Sequence, residues 1–314
     1  MSSQNGVGDD SGHPDLSALM GERRQLVNLA YRLLGSLAEA EDAVQESYAR
    51  WYNMSREEQN AIESPGAWLT KVASRICLNV LTSARSRRET YVGHWLPEPL
   101  PDPAEWSTRR PGGTAGLADP ADTVTLDDSV RMAFLVMLES MTPAERVALI
   151  LHDVFGYPFS EVAEITGRTP AASRQLASSA RRRVRVPQSQ PASTVQQATI
   201  VRDFKQAWEA RDIGALIGVL DPGVTLTGDG GGLVKAALRP REGADEVAHF
   251  LAAIISGVPS DGRLLERRVN GQPGLVGQLD GHTVAVYAFE TAGDQITRIW
   301  AILNPDKLRP WDAG

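Results

Sequence analysis

Six arginines and no acid lie between Arg168 and Val186. Guanidinium groups at that density suit phosphates, and a single arginine can also reach a guanine edge with two hydrogen bonds. They fall in the second half of PFSEVAEITGRTPAASRQLASSARRRVR (Pro158–Arg185), which reads as two short helices joined by a tight turn. Ser160 is positioned to cap the first helix, whose apolar face is Val162, Ala163 and Ile165. Gly167 supplies the left-handed residue that ends a helix, and Thr169 with Pro170 starts the next. Ala172, Leu176, Ala180 and Val184 form its expected buried stripe, leaving Ser173, Arg174, Gln175, Ser178, Arg181 and Arg182 on other faces. Such a segment either enters a major groove as a helix-turn-helix or is a plain helical hairpin with a solvated basic end. The residue types favour the groove.

The elements that must position this pair are set by composition first. At 314 residues and 42% hydrophobic, the chain can build two or three cored domains. Its net charge of -7 excludes a protein that is basic all over, but not one with a local basic surface. Cys77 is the single cysteine, so neither an intrachain disulfide nor a cysteine zinc cluster is expected, and no cofactor motif is present. The first 14 residues are polar, expected to be disordered, and unlike a secretory signal. No apolar run approaches the roughly 20 residues of a membrane span, so a soluble, cytoplasmic protein is expected.

In chain order, Asp15 to Gly35 reads as one amphipathic helix, and Ser36 with Glu39 as a capping box for a second, LAEAEDAVQESYARWY. Ala40, Val44, Tyr48 and Trp51 are its core face, and Glu39, Glu41, Asp42, Gln45 and Glu46 an acidic surface. Ser64 and Pro65 open a third long helix that packs Leu69, Val72, Ile76 and Val80, carries Lys71, Arg75 and Asn79 in one stripe, and ends in Arg85, Arg87 and Arg88. Basic residues at a helix end also suit its dipole. Thr142 and Glu145 form another capping box, ahead of a helix bearing Val147, Leu149, Ile150, Val154 and Phe155.

An acidic helix, a Trp-containing basic helix, a linker and then a helix-turn-helix resemble the extracytoplasmic-function sigma factors of bacterial RNA polymerase, over about Asp15 to Arg185. The resemblance implies that Asp42, Gln45 and Glu46 meet the core polymerase. It implies that Lys71, Arg75, Asn79, Arg85 and Arg88 serve the −10 element, with Trp68 either a stacking surface for unpaired bases or core. The upstream, −35, element falls to Arg168, Ser173, Arg174, Ser178 and Arg181, with Arg182, Arg183 and Arg185 as phosphate contacts.

Tyr91 to Ala121 is rich in Pro and Gly and contains GHWLPEPLPDP, in which Trp95, Leu96 and Pro97 are an extended apolar peptide in need of a dock. A WLPEP-type linker is similar to that of the sigma-factor subgroup that carries a C-terminal SnoaL-like domain. After a Pro/Ser/Gln linker, Ile200 to Leu220 reads as helices with Phe204, Trp208, Leu216 and Leu220 inward. VTLTG, LVKAALRP, GLVGQL, HTVAVYAFE and ITRIWAIL read as strands, with GADEVAHFLAAII as a helix among them, giving an α+β cone on an antiparallel sheet. Asp229, Gly230, Gly231 and Gly232 resemble the subgroup's DGGGK motif, with Leu233 in place of its lysine. Asn304, Pro305, Asp306, Lys307 and Leu308 match its NPDKL ending. On the residues alone, DGGG is a flexible turn.

The expected organisation is a tail (1–14), an all-α sigma domain 2 (15–90), a linker (91–126), an all-α domain 4 (127–186), a second linker (187–198) and a SnoaL-like domain (199–314). The expected function is a sigma factor that binds core RNA polymerase and promoter DNA, regulated in cis by its last domain. The competing function is a DNA-binding protein fused to a small-molecule-binding or enzymatic domain, with Asp221, Asp229, His249 and His282 as candidate acids or bases. A generic helix-turn-helix repressor would leave Asp15–Arg88 unexplained. The conjunction of WLP, DGGG and NPDKL with both sigma modules favours the regulated sigma factor, not an enzyme.

Overall fold

Helix α1 (Leu16–Leu34) stops where Gly35 turns left-handed, at φ +69°. The computed structural model describes residues 16–89, 91–102, 130–184, 193–234, 236 and 239–312, without the side chains of 16–21 and 84–89. The tail (1–14), linker residues 103–126, Arg185, Lys235 and the side chains of Arg85, Arg87 and Arg88 lie outside what it describes.

Helix α2 (Leu37–Tyr52) is capped by Ser36, whose Oγ accepts from the Glu39 amide at 3.4 Å. The short α3 (Arg56–Asn60) leads to α4 (Pro65–Glu89), whose first turn is tied by the Ala67 amide to Ser64 Oγ at 3.3 Å. Trp68 does not stand free as a base-stacking surface: its ring packs on Trp51, centroids 5.3 Å apart. Across the linker come α5 (Met132–Glu139) and α6 (Pro143–Leu149), the latter opened by the Thr142–Glu145 capping box and continued by a π-helical turn at Ile150–Val154.

Helix α7 (Phe159–Thr166) begins two residues earlier than a cap at Ser160 would place it, with Pro158 at its cap position. Ser160 therefore lies inside the first turn and caps nothing. Gly167 takes φ +65°, and α8 (Pro170–Val184) follows with Thr169 Oγ1 accepting from the Ala172 amide at 3.2 Å. The fully buried stripe of α8 is Ser173, Ala177 and Ala180, one position round from the expected one, with Ala172, Leu176 and Val184 half-buried. Small residues let α8 lie close against α6, where Ser179 Oγ donates to Glu145 Oε1 at 2.7 Å. One apolar core runs from Leu26 on α1 to Ala180 on α8, so the two helical modules are packed as a unit.

The C-terminal part is an α+β cone. Helices α9 (Thr194–Ala210) and α10 (Ile213–Val219) bury Phe204, Trp208 and Leu216 against a sheet ordered β2-β1-β6-β5-β4-β3. Its strands are β1 (Leu220–Asp229), β2 (Arg241–Glu242), β3 (Arg263–Val269), β4 (Gln272–Leu279), β5 (His282–Ala292) and β6 (Gln295–Ile302). The sheet is mixed rather than antiparallel throughout, because β1 and β6 run parallel. LVKAALRP forms no strand among its described residues, whereas edge strand β3 (RLLERRV) forms despite its charges, with Arg263, Glu266 and Arg268 exposed and Arg267 half-buried. Helix α11 (Ala244–Ser256) covers the face shared with α9 and α10, and α12 (Pro305–Asp312) packs on the other.

Candidate functional site

The second face of the sheet positions the site. Val276, Val286, Ala288, Trp300 and Ile302 point away from the cone interior and pack with Leu96 of the linker, Met132 of α5, and Leu308 and Trp311 of α12. Leu96 is 2% exposed, which supplies the dock that its apolar character demands.

Asp229 ends β1 with no exposed surface, where a lone carboxylate would be costly. It is not alone. Its Oδ2 lies 2.7 Å from Lys307 Nζ and accepts the Leu96 amide at 2.9 Å; its Oδ1 accepts the Tyr91 hydroxyl at 2.6 Å and the Gly231 amide at 3.0 Å. Its backbone carbonyl accepts the amides of Leu303 and Asn304. Lys307 also donates to the Leu96 carbonyl, and its ammonium stands 4.2 Å from the Trp95 ring centre, near enough for cation–π attraction. Asn304 Nδ2 donates to the Tyr91 oxygen at 3.0 Å. Burial, then the neighbouring Asp229, pushes the Tyr91 phenol well above its ordinary range, so it stays a protonated donor. DGGG, NPDKL and WLP thus form one cluster.

The glycines are demanded by close packing rather than flexibility. A Cβ on Gly231 (φ +64°) would come within 2.5 Å of Asn304 Nδ2, and one on Gly230 within 2.1 Å of the Val234 carbonyl. Leu233 is exposed, and the cation paired with Asp229 is Lys307, so the cluster needs no charge at position 233.

The linker is held equally from the other side. Glu98 accepts the Leu37 amide at 2.8 Å and the Ser36 hydroxyl at 3.2 Å, capping α2 from 60 residues away in sequence, roughly. Burial raises its carboxyl to about 7, against the lowering effect of those hydrogen bonds. Asn270, in the β3–β4 turn, exchanges two hydrogen bonds with Leu100 and donates to Tyr31 of α1 and the Val130 carbonyl. Trp311 Nε1 donates to the Pro99 carbonyl at 2.9 Å. Residues 91–102 are therefore wedged between the helical unit and the cone. Sequence reasoning missed Tyr91, Glu98, Asn270 and Trp311. Asn270-Gly271 was readable only as a hairpin turn, and an isolated Glu in a Pro-rich stretch announces no partner.

The nucleic-acid residues are placed unevenly. Asn79, Arg168, Arg174, Ser178, Arg181 and Arg182 are exposed, although Arg181 forms a two-pronged pair with Asp153 and Arg174 lies 5.6 Å from the Phe159 ring centre. Ser173 is buried with no partner for its hydroxyl among the described residues, so it faces the α8 packing and not a groove; this corrects the expectation. Lys71 pairs with Glu164 of α7 at 2.5 Å and Arg75 donates to the Glu164 carbonyl at 2.7 Å. Arg146, 3% exposed, reaches from α6 to the Leu33 carbonyl on α1 at 3.0 Å. Asp42, Gln45 and Glu46 lie exposed on α2. Of the candidate acids and bases, His249 and His282 are exposed, Asp221 is half-buried at the start of β1, and Asp229 faces the linker, so the four do not form one site.

Comparison with known proteins bears on this arrangement directly. The Sigma-70 region 2 model matches residues 19–87 and the Sigma-70 region 4 model matches 131–184. The chain is 36% identical over 308 residues to the ECF RNA polymerase sigma factor SigJ of Mycobacterium tuberculosis, covering 94% of this chain and 93% of that one. It belongs to the extracytoplasmic-function sigma factors of RNA polymerase.

Likeness to a probable sigma factor SigI of the same organism, 34% identical over 95% of this chain and 96% of the relative, extends through the cone as well. The crystal structure of SigJ superposes with a TM-score of 0.73 at 34% identity, covering 94% of this chain and 99% of that one. This sigma factor therefore acts in transcription initiation, with core RNA polymerase and promoter DNA as its partners, and its relatives are transcription factors rather than enzymes. Among the described residues no helix is long and apolar enough to cross a membrane.

Proposed function

We propose that this sigma factor works in the cytoplasm and is regulated in cis, the SnoaL-like cone setting the posture of the two DNA-reading modules through the linker. The observation that carries the reading is the Asp229–Lys307 pair closed on Leu96 and Tyr91. Asp42, Gln45 and Glu46 dock on the core enzyme; Lys71, Arg75, Asn79, Arg85 and Arg88 serve the −10 element; Arg168, Arg174, Ser178, Arg181 and Arg182 serve the −35 element.

Those two elements are about 25 base pairs apart by their names, roughly 85 Å at about 3.4 Å per pair. Lys71 and Arg75 hydrogen-bonded to Glu164 bring the modules into direct contact, which supports a closed state that opens before promoter engagement. Undocking the linker loosens the restraint between them.

The test is transcription from a cognate promoter with core RNA polymerase, using Trp95→Ala, Lys307→Met and the double variant, with folding checked separately. Non-additive effects on promoter output are expected. Full additivity, or unchanged output in every variant, overturns the regulatory reading.

A further inference from the structure

The sheet that holds the linker on one face encloses, on the other, a cavity of about 750 Å³. Its wall is mainly apolar, from Leu226, Phe250, Leu251, Ile254 and Leu303. One phenol interrupts it. Tyr287 is 7% exposed, its ring is held edge-on by Trp208 with centroids 5.1 Å apart, and its hydroxyl has no hydrogen-bond partner among the described residues. Burial alone pushes that phenol up to about 12, so it is a standing donor. A cavity-lining hydroxyl with no protein partner offers its proton to a polar atom of a ligand.

The lining carries a further asymmetry. Arg239, Arg241 and Glu246 are its charged members. Arg241 stacks over Phe250, 4.9 Å from the ring centre, and pairs with Glu246 at 2.8 Å, yet its Nε has no partner among the described residues. Arg239 is exposed and has no acid paired with it among the described residues. Two guanidiniums against one carboxylate leave an excess of positive charge beside an apolar chamber. A volume of this size falls within the usual range for small-molecule sites.

From this we infer that the cone binds an amphipathic monocarboxylic acid, its chain in the apolar cavity and its carboxylate between Arg239, Arg241 and the Tyr287 hydroxyl. Alternation along the strands ties that site to the linker. Tyr287 lies between Val286 and Ala288, Ala301 between Trp300 and Ile302, and Gly228 precedes Asp229, so neighbouring residues serve opposite faces. An effect of the acid on initiation would rest on the cis-regulatory reading above; binding itself does not.

The experiment is calorimetry on the full chain with dodecanoate and, as its neutral counterpart, dodecan-1-ol. One dodecanoate per chain is expected, with the alcohol at least about tenfold weaker, since it loses the charge-assisted bonds. Arg239→Ala and Tyr287→Phe should each weaken the acid by about tenfold. Ile254→Trp, on the exposed shoulder of α11, should block entry while leaving the thermal unfolding transition in place. No one-to-one binding by the unaltered chain, equal affinity for acid and alcohol, or binding that survives Ile254→Trp overturns the assignment. Promoter output is read separately, so failure of regulation leaves the binding result intact.

Discussion

Replacing Asp229 by Ala tests the linker cluster where it is most heavily connected. The substitution strips the Leu96 amide and the Tyr91 hydroxyl of their acceptor and leaves the Lys307 ammonium, 10% exposed, without its counter-ion. Two hydrogen bonds to a charged acceptor contribute roughly 1.5–3 kcal/mol each. Removing one partner of a buried pair costs about 3–5 kcal/mol by a separate route. These are two views of the same loss and are not to be summed. Because part of it falls on the fold of the cone itself, about 3 kcal/mol is a fair share for linker docking, more than a hundredfold in the equilibrium at about 1.4 kcal/mol per decade. Hydrogen exchange at the Leu96 amide reports that opening, with the Ala180 amide inside α8 as a control for global unfolding. Leu96 should exchange more than a hundredfold faster while the control stays within a few-fold. Exchange at Leu96 that rises no more than at Ala180 would refute a locally docked linker.

Glu98 makes docking pH-dependent: the docked carboxyl holds its proton up to about 7 while an undocked one releases it near 4.5. Docking is then strongest in acid and weakens as pH rises through 7, and Glu98→Gln should flatten that dependence in fluorescence-monitored unfolding between about pH 5 and pH 8. Arg146→Met should lower stability by about 3 kcal/mol in denaturant titrations, since the Leu33 and Leu138 carbonyls and Glu139 each lose a donor, although Leu138 keeps the Met141 amide. Arg146→Lys should not rescue it, because an ammonium cannot reproduce the planar fork. Ser173→Ala should be neutral or stabilising by up to about 1 kcal/mol, as it removes an unpaired buried hydroxyl. The same variant should leave −35 preference unchanged in a binding assay, whereas Arg174→Ala on the exposed face alters it.

Much of the molecule was legible in the chain. Helix boundaries rested on local chemistry that needs no tertiary partner: Gly35 and Gly167 at left-handed stops, Thr142 with Glu145, and Thr169 before Pro170. The apolar faces of α9 and α10 followed from spacing, and the order of acidic helix, basic helix and helix-turn-helix carried the family. Ser173 was misplaced because Ala172 and Ala177 are both small and apolar, so the period allowed either of two stripes, and the packing of α8 on α6 chose between them. The edge strand β3 was hidden by Arg263, Glu266, Arg267 and Arg268, charges that an edge strand tolerates.

The site itself divided the same way. Spacing and resemblance put Trp95, Leu96, Asp229, Asn304 and Lys307 on one short roster, but nothing local could say that Asp229 is buried or that Lys307 is its partner 78 residues on. Tyr91, Glu98 and Asn270 gave no sign at all. A buried polar group is defined by what closes over it, and here the closing surfaces come from three distant stretches of chain. Sequence carried the periodicities and caps, which are short-range. The joint of linker, helical unit and cone was decided by long-range burial, because only burial turns those ordinary polar side chains into obligate partners.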